Sequence, residues 1–310
     1  MRAVIVDRAE PSGVRIGTVP EPEPAPHQAL IRVRATSLNP AECRRVAREE
    51  TGFRPGWDFA GDVLRPAADG SGPPQGARVF GNISGGSWSE LVVHRADWLA
   101  PIPEGLGYEQ VAVLPIAGLT PLRALERGGF LLGRRVLVTG ASGVVGSIAI
   151  QLARLSGALV VAIVRRAERA HVAEEAGATA FVGDDCRVAA ERGPFDLILD
   201  GQSGAYLSTA LDLLAKDGIC VFFGTSASNE IHWDPRNFYL KGGGTLYGLA
   251  LGHELTKRGP RDDLVRLADL VRAGRLAVRV DATTSWRVVS DLVRRQLARE
   301  TIGKIVMQVD

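Results

Sequence analysis

Three glycines, Gly140, Gly143 and Gly146, stand at a spacing that can seat a pyrophosphate. They lie in RVLVTGASGVVGSIAIQLA (135–153), where a β-branched apolar run is followed at once by a helix-type pattern, and that order gives the spacing its weight. Gly140 permits a tight turn, Gly143 lets a phosphate approach the backbone, and Gly146 lets the helix pack closely on the strand. The helix that follows presents unpaired N–H groups and a partial positive charge. Gly140, Ser142, Gly143, Val144, Val145 and Gly146 are therefore expected cofactor contacts. The next apolar run, VVAIV (160–164), should end beside an adenosine ribose. A carboxylate there would take the 2′-OH of NADH; Arg165, Arg166 and Arg169 suit a 2′-phosphate instead, so NADPH is the expected cofactor.

These residues need a parallel sheet to hold them, and the rhythm of the chain supplies one. From about residue 108 continuous apolar strands alternate with amphipathic helices: RVLVTG, VVAIV, AFVG, DLILDG and ICVFFG, with LYGLAL (246–251) as a last strand at the sheet edge. That pattern predicts a doubly wound α/β domain, covered on both faces. Ligands of such sheets lie outside the carboxyl ends of the strands, which adds Gln202 after DLILDG and Gly224 and Thr225 after ICVFFG to the expected contacts. Before it, AVIV, ALIRVRATSL, FAGDVL, RVFG and SELVVH are short, β-branched and broken by turns, so residues 1–114 read as a mostly β module. A short helix is expected at about 40–48 after Asn39-Pro40. We place the nucleotide-binding domain at 115–250, and the tail, 251–310, reads helix, strand, helix, strand and is expected to return to the first module.

Composition narrows the function classes. The 310 residues carry 37 Lys+Arg against 35 Asp+Glu, a formal charge of +2, so no field directs the chain to nucleic acid or an anionic membrane. Cys43, Cys186 and Cys220 are far apart, without the spacing of a disulfide framework or zinc ribbon. No signal peptide or membrane span is visible, and a cytoplasmic, reducing compartment is expected. Lysines number only four, and this arginine bias suggests a bacterial source that uses such scaffolds on aromatic or polyketide metabolites.

SLNPAE (37–42), PGWDFAGDV (55–63), RVFG (78–81), LPIAGLTPLRAL (114–125), the glycine turn, EEAGA (174–178) and IGKIVMQVD (302–310), taken in order, resemble the zinc-independent quinone oxidoreductase branch of the medium-chain dehydrogenase/reductase superfamily. The resemblance implies a GroES-like catalytic domain, built from both ends of the chain, around a Rossmann-like domain. It also implies a homodimer through LYGLAL, with Asn39 near nicotinamide and substrate and Thr120 near the nicotinamide ribose or carboxamide. Zinc-dependent relatives place Cys where this chain has Asn39 and His where it has Trp57, and they carry a four-cysteine lobe, so no metal is expected. His27, His94, His171, His232 and His253 are isolated in sequence.

Related reductases often carry a tyrosine a few residues after the Asn; this chain has Cys43, Arg44 and Arg45 there. Arg44 can bind an anionic or carbonyl oxygen but, with a pKa above about 12, can hardly donate a proton. Water and Glu42 are the alternative donors. Trp57 offers a flat apolar wall or core packing. Without a Lewis acid, hydride delivery to a quinone, enone or enoyl acceptor is the expected chemistry, with Asn39, Arg44 and Trp57 on the substrate side. A non-redox cyclase, dehydratase or isomerase on the same fold, and a nucleotide-binding protein without turnover, are the competing readings.

Overall fold

A computed structural model describes all 310 residues. Its first seven strands are β1 (Arg2–Val6), β2 (Val14–Thr18), β3 (Gln28–Ser37), β4 (Asp58–Arg65), β5 (Arg78–Asn82), β6 (Leu91–Arg95) and β7 (Ala100–Pro101). Then come β8 (Arg135–Thr139), β9 (Leu159–Val164), β10 (Thr179–Val182), β11 (Phe195–Asp200), β12 (Leu214–Phe222), β13 (Thr245–Gly248), β14 (Val280–Ser285) and β15 (Lys304–Gln308). The helices are α1 (Pro40–Val46), α2 (Tyr108–Val111), α3 (Leu114–Glu126), α4 (Val144–Leu155), α5 (Ala170–Glu175), α6 (Ala205–Asp212), α7 (Pro235–Lys241), α8 (Leu251–Lys257), α9 (Arg261–Arg272) and α10 (Val289–Leu297). None is long and apolar enough to cross a membrane. By its contacts the chain divides into Met1–Leu119 with Arg258–Asp310, and Thr120–Lys257.

The first unit is a mixed sheet in the order β14-β15-β3-β4-β5-β7, with β6 also on β3 and a separate hairpin β1-β2. Its tail returns because β15 pairs antiparallel with β3, placing Val306 opposite Ser37. The alternation in β3 sends Ala29, Ile31 and Val33 to one face, where Trp88, Trp286 and Phe59 fill the same core. β2 was not anticipated from the pattern: VRIGT mixes Arg and Gly into a strand whose register is fixed by β1, with Arg2 opposite Thr18.

The second unit holds six parallel strands in the order β10-β9-β8-β11-β12-β13. Numbered from β8 this is 3-2-1-4-5-6, the order whose reversal beside the first strand opens a crevice for a dinucleotide. β8, β9 and β11 are buried along almost their whole length, as strands covered on both faces must be. The edge strand is shorter than LYGLAL suggests: β13 ends at Gly248 and Leu251 already begins α8.

That edge is tied down by charge. Glu254, 4% exposed, accepts from the Tyr247 hydroxyl at 2.5 Å, Lys257 Nζ at 3.0 Å and Arg127 Nη2 at 2.5 Å. The Arg127 guanidinium also lies over the Tyr247 ring, 4.3 Å from its centre. Burial alone would raise the Glu254 pKa, but these three donors outweigh it and hold the carboxyl down to about 2, against 4.5 ordinarily. A depressed carboxylate contributes stability above its unfolded pKa and loses it as pH falls through the folded one. The contribution should therefore fade between about pH 4.5 and 2. Denaturant unfolding at pH 7 and pH 3 should show Glu254→Gln less stable than the parent by roughly 2–3 kcal/mol at pH 7 and by much less at pH 3; an equal gap at both pH values refutes the assignment.

Candidate functional site

In the second unit the glycine turn follows β8. Gly140 has φ +62°, and a Cβ on it would stand 2.2 Å from the Gln202 amide nitrogen. A Cβ on Gly146 would lie 2.6 Å from the Gly140 carbonyl oxygen and 2.7 Å from the Ala141 Cα, so the helix meets the turn at a distance only glycine allows. Gly143, exposed, is the N-cap of α4, and no side chain caps that helix. The first-turn N–H groups of Val144, Val145 and Gly146 thus have no acceptor within the helix. Ser142, Val144 and Val145 are half-buried beside them.

The neighbouring strand ends complete a cradle. Asp200, fully buried at the end of β11, takes the Thr139 hydroxyl at 2.5 Å and the N–H groups of Ser203 at 2.8 Å and Gln202 at 3.3 Å, fixing the loop that lays Gln202 on Gly140. Ser203 adopts φ +60° in this loop. The loop after β12 joins it, since Ala227 N–H donates to the Gln202 carbonyl at 2.9 Å. A Cβ on Gly224 would stand 2.8 Å from the Gly201 carbonyl oxygen; Thr225 beyond it is exposed. Arg165 and Arg166 follow β9 as exposed cations without an ion pair, with Arg169 half-buried beside them. All these sequence-derived positions therefore follow the carboxyl ends of parallel strands. The residues fit a dinucleotide: a close-approach turn, an uncapped helix and two free guanidiniums. Thr120, 7% exposed, lies inside α3 rather than at a helix start, just before Pro121.

In the first unit Asn39 stands before α1 and is 4% exposed. Its amide donates to Glu42 Oε2 at 2.7 Å and Asp58 Oδ2 at 2.8 Å, and its oxygen accepts from Lys304 Nζ at 2.5 Å. Both N–H bonds of the side chain are thus spent inside the protein. Asp58, fully buried, also takes Ser37 Oγ at 2.7 Å, the Ile116 N–H at 2.9 Å and Lys304 Nζ at 3.3 Å. Two carboxyls therefore share one ammonium away from water. Burial, and then the Asp58 charge, push the Glu42 carboxyl up, to about 8, against the pull of Lys304. Its Oε1 is buried and has no partner.

Sequence reasoning missed Asp58 and Lys304, whose partnership spans 246 positions. The signal was a lysine inside the apolar tail GKIVMQV, where a charge needs a buried acid. Trp57 is half-exposed rather than core, while Arg44 is half-buried. Cys43 is a fully buried free thiol raised by burial, which makes it a small hydrophobe. Both ring nitrogens of His94 face backbone carbonyls, Asn82 at 2.8 Å and Arg95 at 2.9 Å.

Comparison with known proteins agrees with this geometry. Residues 25–104 match the alcohol dehydrogenase GroES-like domain model and residues 144–270 the zinc-binding dehydrogenase model. The quinone oxidoreductase of Pongo abelii is 31% identical over 238 residues, covering 71% of this chain and 70% of that protein. A synaptic vesicle membrane protein VAT-1 homolog of Danio rerio is 25% identical over 316 residues, 91% of this chain but only 64% of its own length. Among solved structures, mycobacterial Rv1454c complexed with NADPH superposes with a TM-score of 0.87 at 25% identity, over 99% of both chains. The chain belongs to the quinone oxidoreductase-like branch of the medium-chain dehydrogenase/reductase superfamily.

Proposed function

We propose that this protein is a cytoplasmic, NADPH-dependent, zinc-independent reductase of quinones or of carbon–carbon double bonds activated by a carbonyl. The observation that carries the reading is the pair Arg165 and Arg166, exposed and without acid partners at the end of β9, next to the strand that feeds the glycine turn. They suit a 2′-phosphate, which NADH lacks. The mycobacterial neighbour complexed with NADPH supports the same choice. Zinc independence rests on the donor set: Asn39 is engaged by Lys304, and Trp57 offers no lone pair to a metal. The cytoplasmic assignment rests on three buried free thiols, which fit a reducing compartment.

The bound cofactor would supply hydride to the electron-poor carbon. The turn 140–146 and α4 would hold its pyrophosphate, and Gln202, Gly224 and Thr225 would line the remainder of its path. Asn39, fixed by Glu42, Asp58 and Lys304, would keep α1 and Trp57 in place on the substrate side. Glu42 is 2% exposed and held by Asn39, so this reading takes the proton for the product from water.

Mixing the protein with NADPH and a panel of naphthoquinones and enones, followed at 340 nm, tests the reading. Turnover with NADPH, and a combined Arg165→Ala and Arg166→Ala loss of about tenfold or more in NADPH affinity with little change for NADH, is expected. Equal losses for both cofactors would sink the phosphate assignment. NADPH binding without oxidation by any acceptor would favour the non-redox reading.

The Glu42 carboxyl supplies a pH test. With its folded pKa above its unfolded one, the native state binds the extra proton, and its contribution declines as pH rises from about 4.5 through 8. Glu42→Gln should match the parent in melting temperature at about pH 4 and exceed it by a margin that grows from pH 6 to pH 9; a variant that falls equally below the parent across this range would contradict a neutral carboxyl.

We also propose a homodimer through β13. Tyr239 and Leu240 of α7, 65% and 71% exposed, lie just before this open edge, where an unpaired strand invites pairing with a second copy. Sedimentation should show a dimer that Leu240→Asp weakens; a monomeric parent protein would refute it.

A further inference from the structure

Glu42 and Asp58 share one side-chain amide, that of Asn39, yet the protein treats the two carboxyls differently. Both oxygens of Asp58 are met by donors: Oδ1 takes the Ile116 N–H at 2.9 Å, and Oδ2 takes Ser37 Oγ at 2.7 Å, Asn39 Nδ2 at 2.8 Å and Lys304 Nζ at 3.3 Å. On Glu42 only Oε2 is met, by the main-chain N–H of Asn39 at 2.8 Å and by its Nδ2 at 2.7 Å, while Oε1 is buried without a donor. The ammonium is spent on Ser37 Oγ at 3.0 Å, the Leu38 carbonyl at 3.1 Å, Asn39 Oδ1 at 2.5 Å and its ion pair with Asp58. An ionised Asp58 is thus fully answered, whereas an ionised Glu42 would hold a bare charged oxygen away from water. The oxygen that no donor meets is the one that carries the proton.

The surrounding charges leave this balance in place. On α1 itself Cys43 is a buried thiol, raised by burial and by Glu42, Arg44 is half-buried, and Arg45 is paired with Glu49 at 2.5 Å. α10, which packs on α1, turns Val289, Leu292 and Val293 inward and keeps Asp291, Arg294 and Arg295 paired with one another or with Glu300. Farther along β4, Asp62 is taken by Arg34 and Tyr108.

Asn39 senses the proton at both of its nitrogens. It is the N-cap of α1, a helix of seven residues, and both N–H groups end on the one Glu42 oxygen. An ionised carboxyl is relieved by turning out to water, which releases both groups and frees the first turn of α1. The Lys304–Asp58 pair survives that change, so the sheet around it holds.

We propose that Glu42 is a positioning residue for the reaction, acting through Asn39 and only while its carboxyl keeps a proton: the neutral form holds the start of α1 for substrate, and the ionised form releases it without unfolding the sheet. This rests on the reductase reading and adds a pH control to it.

Infrared difference spectra of the parent protein between pH 6 and pH 10 should show the loss of one protonated-carboxyl stretch with its midpoint at about pH 8, and Glu42→Gln should lack that change. Over the same range, amide hydrogen exchange of residues 40–47, corrected for its chemical rate, should accelerate in the parent and stay level in the variant, with β3 and β15 level in both. With NADPH and an enone or naphthoquinone, kcat/KM of the parent should fall about tenfold from pH 7 to pH 9, mainly through KM, and the Glu42→Gln profile should lack this step. Where the variant does not fold, coincident midpoints of the infrared and exchange changes in the parent decide. A carboxyl band that persists to pH 10, a band lost without change in α1, or an activity step that survives in Glu42→Gln overturns the proposal. Coincident infrared and exchange changes with no acceptor reduced would uphold the control of α1 by Glu42 and reject the reductase reading.

Discussion

A lysine 4% exposed has to be answered by charge, and in this chain the answer is Asp58. Breaking such a pair leaves an uncompensated buried charge at a cost of about 3–5 kcal/mol. The constraint reaches beyond two residues. Lys304 opens β15, Asp58 opens β4, and β3 lies between those strands, so the pair fixes the register in which the tail returns to the first unit. Ser37, Asn39 and the Ile116 N–H are drawn in because every remaining oxygen and proton of the pair needs a partner. What looks like a site is therefore also the joint that closes this unit.

Its counterpart in the second unit is Asp200, also fully buried but with no cation beside it. Burial raises its pKa, while the Thr139 hydroxyl and the backbone N–H groups of Ser203 and Gln202 act the other way. The result is mechanical: one carboxyl ties the end of β8 to the loop after β11 and holds Gln202 over Gly140. The glycine turn thus depends on an acid some sixty positions away, as well as on its own glycines.

The parts legible in the sequence are those in which a local pattern carries the physics. The strand, glycine turn and helix at 135–155 are set by apolar periodicity and by the absence of Cβ atoms, and both can be read along the chain. The edge strand shows the limit. LYGLAL is uniformly apolar, yet β13 ends at Gly248, Leu249 keeps one bond to β12 through its N–H on the Phe222 carbonyl at 2.8 Å, and Leu251 begins α8, whose Glu254 is held by Tyr247 and by Arg127, 127 positions away. Lys304 and Asp58 escaped for the same reason. The resemblance implies Asn39 beside nicotinamide and substrate, and the long-range partners of its side chain, which no local pattern shows, lie on β4 and β15.

The charge balance of the first unit explains why its unpaired arginines stay unpaired. Glu42, two positions from Arg44, and Asp58, four from Arg54, are both committed to the buried cluster. With Glu42 raised by burial into its neutral form and Asp58 matched by Lys304, that cluster carries no net charge at neutral pH. It contributes little field to offset a guanidinium outside it, because opposed charges at 3.3 Å cancel over longer distances. With the proton kept on Glu42, the buried cluster needs no cation beyond Lys304.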